Sequence, residues 1–288
     1  MASEERNDWS GSMEATVQQL LVALSETSSQ LLSEARIKID VGLSLDAPHS
    51  VEWLKQDPDL IVFGFEPLPL CLDSVETMFQ ATSEMRRLRR RIVIVPVALG
   101  VESIRTRFFE CDDPGVSSFH RPREFSIKNV LEIDSLRLED FLYEIENQLN
   151  QKFGFFQHLK TDCQGADIKV LQGAEKYLER VAVITCEADS HDYIDSVSND
   201  VRSIREFLGA RGFVQYNQKP RWKEILGPKI QRSMLHTLVL TVLRKRNRKK
   251  DLKAQSGSST IKVSDPTFIN QRFSQLVEMG EFEVFQTH

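Results

Sequence analysis

Three short apolar runs near the start of the chain restrict its architecture most. Ile37–Leu43 (IKIDVGL), Leu60–Glu66 (LIVFGFE) and Arg91–Leu99 (RIVIVPVAL) are strand-length, and each closes at or beside a Gly or Pro. The segments between them read as helices: Pro48–Lys55, punctuated by Asp57-Pro58-Asp59, and Asp73–Arg90, whose arginine-rich end suits a helix dipole. Strands about 30 residues apart with helices between them are βαβ units, which require a mostly parallel sheet covered by helices on both faces.

The pattern resumes downstream with a strand at Phe153–Cys163, a helix at Ala166–Leu178, a strand at Val181–Glu187 and a helix at Asn199–Arg211, with Gly212 at its end. Phe213–Tyr216 and Leu235–Leu243 are predicted to close a seven-stranded sheet as an antiparallel hairpin. The stretch 101–135 interrupts the alternation. There Arg105–Glu110 and Asn129–Ile133 read as short strands around the polar loop Asp112–Glu124, and Leu138–Gln148 follows as a helix.

The flanks look different from this body. Residues 12–35 are predicted helical, capped by Ser12, with Leu20, Leu24 and Leu31 on one face. Asp265–Glu278 is predicted to be a last helix, with Asp265 as cap, Pro266 at the first helical position and Ile269, Phe273 and Leu276 on one side. The expected division is a helical extension over 1–36, a sheet domain over 37–245, and a basic linker with a terminal helix over 246–288.

Charge and cysteine usage narrow the setting. The net charge is −5, yet Arg244–Lys253 holds seven Lys or Arg against one Asp, so the rest is more acidic still. An acidic body repels polyanions, which disfavours nucleic acid as a partner and makes the basic run a solvated linker. Cys71, Cys111, Cys163 and Cys186 form no C-x-x-C pair, so reduced thiols fit better than disulfides or a metal site. Met1–Asp8 is polar, and no apolar run approaches the roughly 20 residues that span a bilayer. A cytoplasmic location without a membrane partner is expected.

Chemistry in an open α/β sheet sits beyond the carboxyl ends of the strands. The first end reads Asp40-Val-Gly42-Leu-Ser44-Leu-Asp46. Gly42 allows close backbone approach, and Asp40 can organise the loop or engage an ammonium group. At the second end, Phe65-Glu66-Pro67 offers a carboxylate for the two hydroxyls of a ribose. Neither G-x-G-x-x-G nor a P-loop is present, so a nucleoside cofactor without phosphates fits best. The alternative is that both ends are ordinary strand-closing turns.

The fourth end carries Leu159-Lys160-Thr161-Asp162-Cys163-Gln164-Gly165-Ala166-Asp167, followed by Val170-Leu171-Gln172-Gly173-Ala174. This run resembles the signature of the FkbM-type methyltransferases, with Asp167 where that family usually has Glu. The likeness extends over roughly residues 37–216, taking in Asp40–Gly42, Phe65–Pro67, Val97–Gly100 with Ala98, Ser117–Ser118 and Leu136–Phe141. It implies a Rossmann-like class I methyltransferase fold and S-adenosyl-L-methionine as cofactor. It also implies methyl transfer to an oxygen of a small hydroxylated acceptor such as a sugar or natural product.

On that reading Asp40, Gly42, Ser44, Asp46, Glu66, Ala98 and Asp162 bind the cofactor. Asp162 is the base or orienting group, Gln164 bonds acceptor or cofactor, and Glu187 and His191 serve the acceptor side. Other readings stand beside these: Asp162 as a helix cap, Lys160 as a structural ion-pair partner, His158 as a packed residue. Asp46 takes the place of the last glycine of the family loop. That departure leaves open a degenerate binding module, and the basic run leaves open an RNA methyltransferase.

Overall fold

A computed structural model describes residues 10–188, 193–194, 199–216 and 265–273. Two helix-covered faces flank one sheet. The chain runs α1 (Ser10–Ser25), β1 (Arg36–Val41), α2 (Pro48–Gln56), β2 (Leu60–Phe65), α3 (Pro69–Gln80), α4 (Ser83–Arg89) and β3 (Ile92–Val95). An insertion follows with β4 (Ala98–Leu99), β5 (Ile104–Cys111) and β6 (Ile127–Leu136). The body then completes with α5 (Leu138–Leu149), β7 (Phe156–Thr161), α6 (Asp167–Leu178), β8 (Val181–Cys186), α7 (Val201–Gly209), β9 (Phe213–Tyr216) and β10 (Thr267–Asn270).

Among the described residues the main sheet has seven strands in the order β3-β2-β1-β7-β8-β10-β9. Its pairings are parallel except those of β10, which runs antiparallel to both neighbours. This is the Rossmann-like class I methyltransferase architecture expected from the sequence. Strand order reverses at β1, flanked by β2 and β7, so the switch point lies at their carboxyl ends.

Period-two alternation sends side chains to opposite layers. Ile61, Phe63 and Phe65 join a core with α1, α5, α6 and α7, while Leu60 and Val62 join Trp53, Val75, Phe79 and Leu88 from α2, α3 and α4. Helix α1 packs on this sheet, since Met13, Val17, Leu20 and Leu24 lie in the larger core. Its Gln19 also bonds both Ile94 N and Ile94 O, covering the exposed edge of β3.

The helix expected over residues 12–35 ends at Ser25, and three further expectations need correction. The helix expected over Asp73–Arg90 is two helices, because Thr82 leaves helical geometry and accepts a bond from Met85 N as a new N-cap. The strand expected over Arg91–Leu99 stops at Val95. Pro96 cannot donate a ladder bond, and Ala98–Leu99 instead joins a three-stranded sheet ordered β4-β6-β5.

The largest correction is at the end of the chain. Thr267–Asn270, expected in a helix, is β10 and fills the slot between β8 and β9. Pairing on both sides and burial of Phe268 override the helical spacing, and Asn270 Nδ2 adds a 3.1 Å bond to Val181 O. The sheet thus draws on residues beyond 245, across the boundary drawn from sequence. Leu235–Leu243 and the basic run 244–253 lie outside the described residues. No helix among the described residues is long and apolar enough to cross a membrane.

Candidate functional site

The strand ends are stitched together by main-chain bonds: Gly42 N to Phe65 O at 3.0 Å, Asp162 N to Val41 O at 3.0 Å, and Glu187 N to Thr161 O at 3.0 Å. Gly42 has φ +84°, and a Cβ there would lie 2.2 Å from the carbonyl oxygen of Asp162. Only glycine lets the first and fourth ends approach so closely. Gly173 of the signature plays a similar part on α6, where a Cβ would lie 2.0 Å from Gly100 O.

A cleft opens above these ends, lined by Gly42, Ser44, Glu66, Leu68, Ala98, Phe108, Ser117, Phe119 and Asp162 among others, with no Lys or Arg in its wall among the described residues. Glu66 is 5% exposed, and its two oxygens accept from Ser44 N and Leu68 N, each at 3.0 Å. Burial pushes its carboxyl up to about 7, against the pull of those two amides. The insertion supplies the opposite wall: Phe108 and Phe119 meet edge to face at 5.5 Å and pack with Leu68 and Cys71.

Asp40 points away from this cleft. It accepts from Ser50 Oγ at 2.6 Å and Ser50 N at 3.2 Å, and it pairs with Lys160 at 3.3 Å. The N-cap of α2 is Ala47, which has no side-chain cap, so a carboxylate from β1 satisfies the first turn. The cation beside Asp40 is Lys160 of its own chain. Asp46 is exposed in the loop and does not line the cleft.

Lys160 is buried and also donates to Gly42 O at 3.1 Å and lies 3.6 Å from Asp162. Burial works to lower its ammonium, but Asp40 and Asp162 win and hold it above its ordinary value. Burial works to raise Asp162, yet Lys160 and a bond from Gln164 keep it below the usual carboxylate range. Lys160 therefore holds a carboxylate ionised at the mouth, the structural role that the sequence left open for it.

Gln164 joins the carboxyl groups at the ends of β7 and β8. Its Nε2 donates to Asp162 Oδ1 and to Glu187 Oε2, both at 2.8 Å. Glu187 is pushed well up, first by burial and then by Asp162 and Asp167 nearby, so it keeps its proton at neutral pH. Asp167 is fully buried, and burial raises it to about 7. It opens α6 and accepts from Cys163 N at 3.4 Å and Asn199 Nδ2 at 3.2 Å. The N-cap of α6 is Ala166 without a side-chain cap, and it is Asn199 Oδ1 rather than Asp162 that accepts from a first-turn amide, Ile168 N, at 2.9 Å.

The structure brings together Gly42, Ser44, Glu66, Ala98, Asp162, Gln164 and Glu187. His191 lies outside the described residues. His158 is packed at 5.1 Å from Trp53, with Nε2 bonded to Thr185 Oγ1. Sequence reasoning missed Phe108, Phe119, Asn199 and Tyr193. The aromatic pair was visible as apolar residues in a polar insertion. Asn199 passed for the start of α7, whose N-cap is Asp200.

The model of the FkbM methyltransferase domain matches residues 40–214. Among solved structures, the chain is similar to the FkbM methyltransferase from Methylobacillus flagellatus KT, at 12% identity over 70% of this chain and 54% of that one, TM-score 0.41. It thus spans about half the length of that protein. It is also similar to the human methyltransferase 10 domain containing protein (12% identity, 72% and 77% covered, TM-score 0.33). A third likeness is to the precorrin-6y C5,15-methyltransferase from Geobacter metallireducens GS-15 (13% identity, 68% and 70% covered, TM-score 0.35). No curated protein matches the chain.

Proposed function

The chain belongs to the FkbM methyltransferase family, and on that premise we propose that it transfers a methyl group from S-adenosylmethionine to an oxygen of a small hydroxylated acceptor, such as a sugar or natural product. The observation that carries this reading is the cleft at the switch point. A buried carboxylate at its second strand end faces apolar walls, and no Lys or Arg among the described residues lines it for phosphates.

These residues fit a nucleoside. Glu66 keeps lone pairs beyond its two amide bonds for ribose hydroxyls, and Leu68, Ala98, Phe108 and Phe119 offer a flat apolar slot for a base. When bound, the cofactor supplies a methyl group already activated by a sulfonium.

The chain must then place an acceptor oxygen in line and take its proton. Asp162 stands at the cleft with one oxygen held by Gln164. With the cofactor bound, it would orient the acceptor hydroxyl and take up the proton that hydroxyl loses on methylation. With Lys160 beside it Asp162 is a weak base, so its larger part is orientation and the proton moves late. Glu187, holding its own proton, acts as a hydrogen-bonding neighbour rather than a base.

Isothermal titration with S-adenosylhomocysteine tests the cofactor half, and saturable binding is expected. Asp162→Asn should leave that binding within about threefold while lowering turnover on a responsive acceptor by 10²- to 10⁴-fold, in order of magnitude. No binding by the wild type would sink the reading. Binding without turnover across a broad panel of hydroxylated acceptors would favour a binding module instead.

A further inference from the structure

Tyr193 is 2% exposed and fastened to the insertion. It forms an antiparallel bridge with Pro122, Ile194 N donates to Arg121 O at 2.8 Å, and Arg123 Nε donates to Tyr193 O at 3.3 Å. Its hydroxyl lies 2.8 Å from Gln164 Oε1 and 2.9 Å from Val116 O, two acceptors that share one proton.

The backbone of Gln164 is held separately, at φ +51° with its carbonyl accepting from Ser118 Oγ at 2.7 Å. What that leaves undetermined is the turn of the carboxamide. With Nε2 outward it donates to Asp162 and Glu187, and Oε1 then meets the Tyr193 hydroxyl. Turned over, it would set oxygen against the ionised Asp162 and lose the bond that the Tyr193 hydroxyl donates to Oε1.

We propose that Tyr193 is a positioning residue for methyl transfer: its hydroxyl fixes the Gln164 carboxamide, whose N–H groups hold Asp162 and Glu187 in one arrangement facing the acceptor. This rests on the reading that the acceptor meets Asp162 at the end of β7. It also ties the insertion, which walls the nucleoside slot, to the carboxyl pair on the other side of the cleft.

Among the described residues, the charged groups that act on Glu187 are Asp162, Asp167 and Asp265, with Lys160 acting on Asp162. Asp162 is the anion that keeps the Glu187 proton in place, whereas the N–H that Gln164 donates to Glu187 favours the ionised carboxyl, so loosening Gln164 makes Glu187 hold its proton to higher pH. The test is the denaturant stability of the full chain from pH 6 to 10 for the wild type, Tyr193→Phe, Gln164→Ala and the double variant, with S-adenosylhomocysteine titrated into each.

Tyr193→Phe is expected to keep S-adenosylhomocysteine affinity within about threefold and to shift the alkaline arm of the stability profile up by about one pH unit. In the Gln164→Ala background the same change should shift nothing further. An unmoved alkaline arm, or a shift that persists without Gln164, makes Tyr193 a packing residue and overturns the proposal. Failure of the wild type to bind S-adenosylhomocysteine overturns the proposed function and this proposal together, whereas an unmoved arm with binding intact overturns this one alone.

Discussion

At the end of β2, Glu66 holds the main-chain amides of Ser44 and Leu68, and the rest of that side is glycine, short loops and apolar wall. At the ends of β7 and β8 the side chains hold one another: Lys160 with Asp162, Gln164 with Asp162 and Glu187, Tyr193 with Gln164. The first region is shaped chiefly by backbone and tolerates side-chain change wherever the loop path survives. The second is a polar network in which each member orients the next, so single changes spread. A rigid loop suits recognition of one invariant cofactor, while interlocked side chains suit the placing of charge where a proton must move.

Gly42→Ala breaks both regions at once and should have the largest effect. The new Cβ meets the Asp162 carbonyl at φ +84°, which should cost about 2 to 3 kcal/mol of stability and remove S-adenosylhomocysteine binding, both measurable by denaturation and titration. Stability and affinity equal to wild type would show that the two strand ends are free to separate.

Glu66→Gln probes the first region alone. A glutamine has one oxygen for two amides and no charge for ribose hydroxyls, so nucleoside affinity should fall roughly 10- to 100-fold. With the wild-type carboxyl near 7, deprotonation strengthens it as an acceptor, so affinity should rise as pH increases through 7. The glutamine variant should show no such rise, and a wild-type profile that falls with pH would break the assignment.

Glu187→Gln probes the second region with the smallest effect. The native state keeps a proton on Glu187 that the unfolded chain releases above about pH 4.5. The native form therefore binds more protons above that point, and stability falls as pH rises towards the raised native value. Glutamine mimics the neutral acid, so the variant should match wild type at pH 5 and exceed it in thermal stability at pH 9. A variant less stable than wild type at pH 9 would show that Glu187 is charged in the fold.

Much of this was legible in advance. The alternation of short apolar runs and helices required a parallel sheet, because period-two and period-3.6 patterns bury different faces. The ends at Gly42, Glu66 and Asp162 are placed by chain direction alone, as ligands of such sheets sit beyond the carboxyl edge. The stretch from Lys160 to Ala174 carried the family, and its Gly173 is needed for the approach of α6 to Gly100.

Other features depended on contacts between residues far apart in sequence. Asp40 was legible as a carboxylate that organises the loop or meets an ammonium group, but its partners Ser50 and Lys160 were not. Thr267–Asn270 had helical spacing, but two strands awaited a partner between them. Tyr193 had no local pattern, since its meaning lies in Gln164, 29 residues earlier. Local periodicity and chain direction determined the sheet and the ends where chemistry belongs. The tertiary structure decided which carboxyl groups are paired, which keep a proton and which face the cleft, because burial and partner distance set those states and neither is encoded in local spacing.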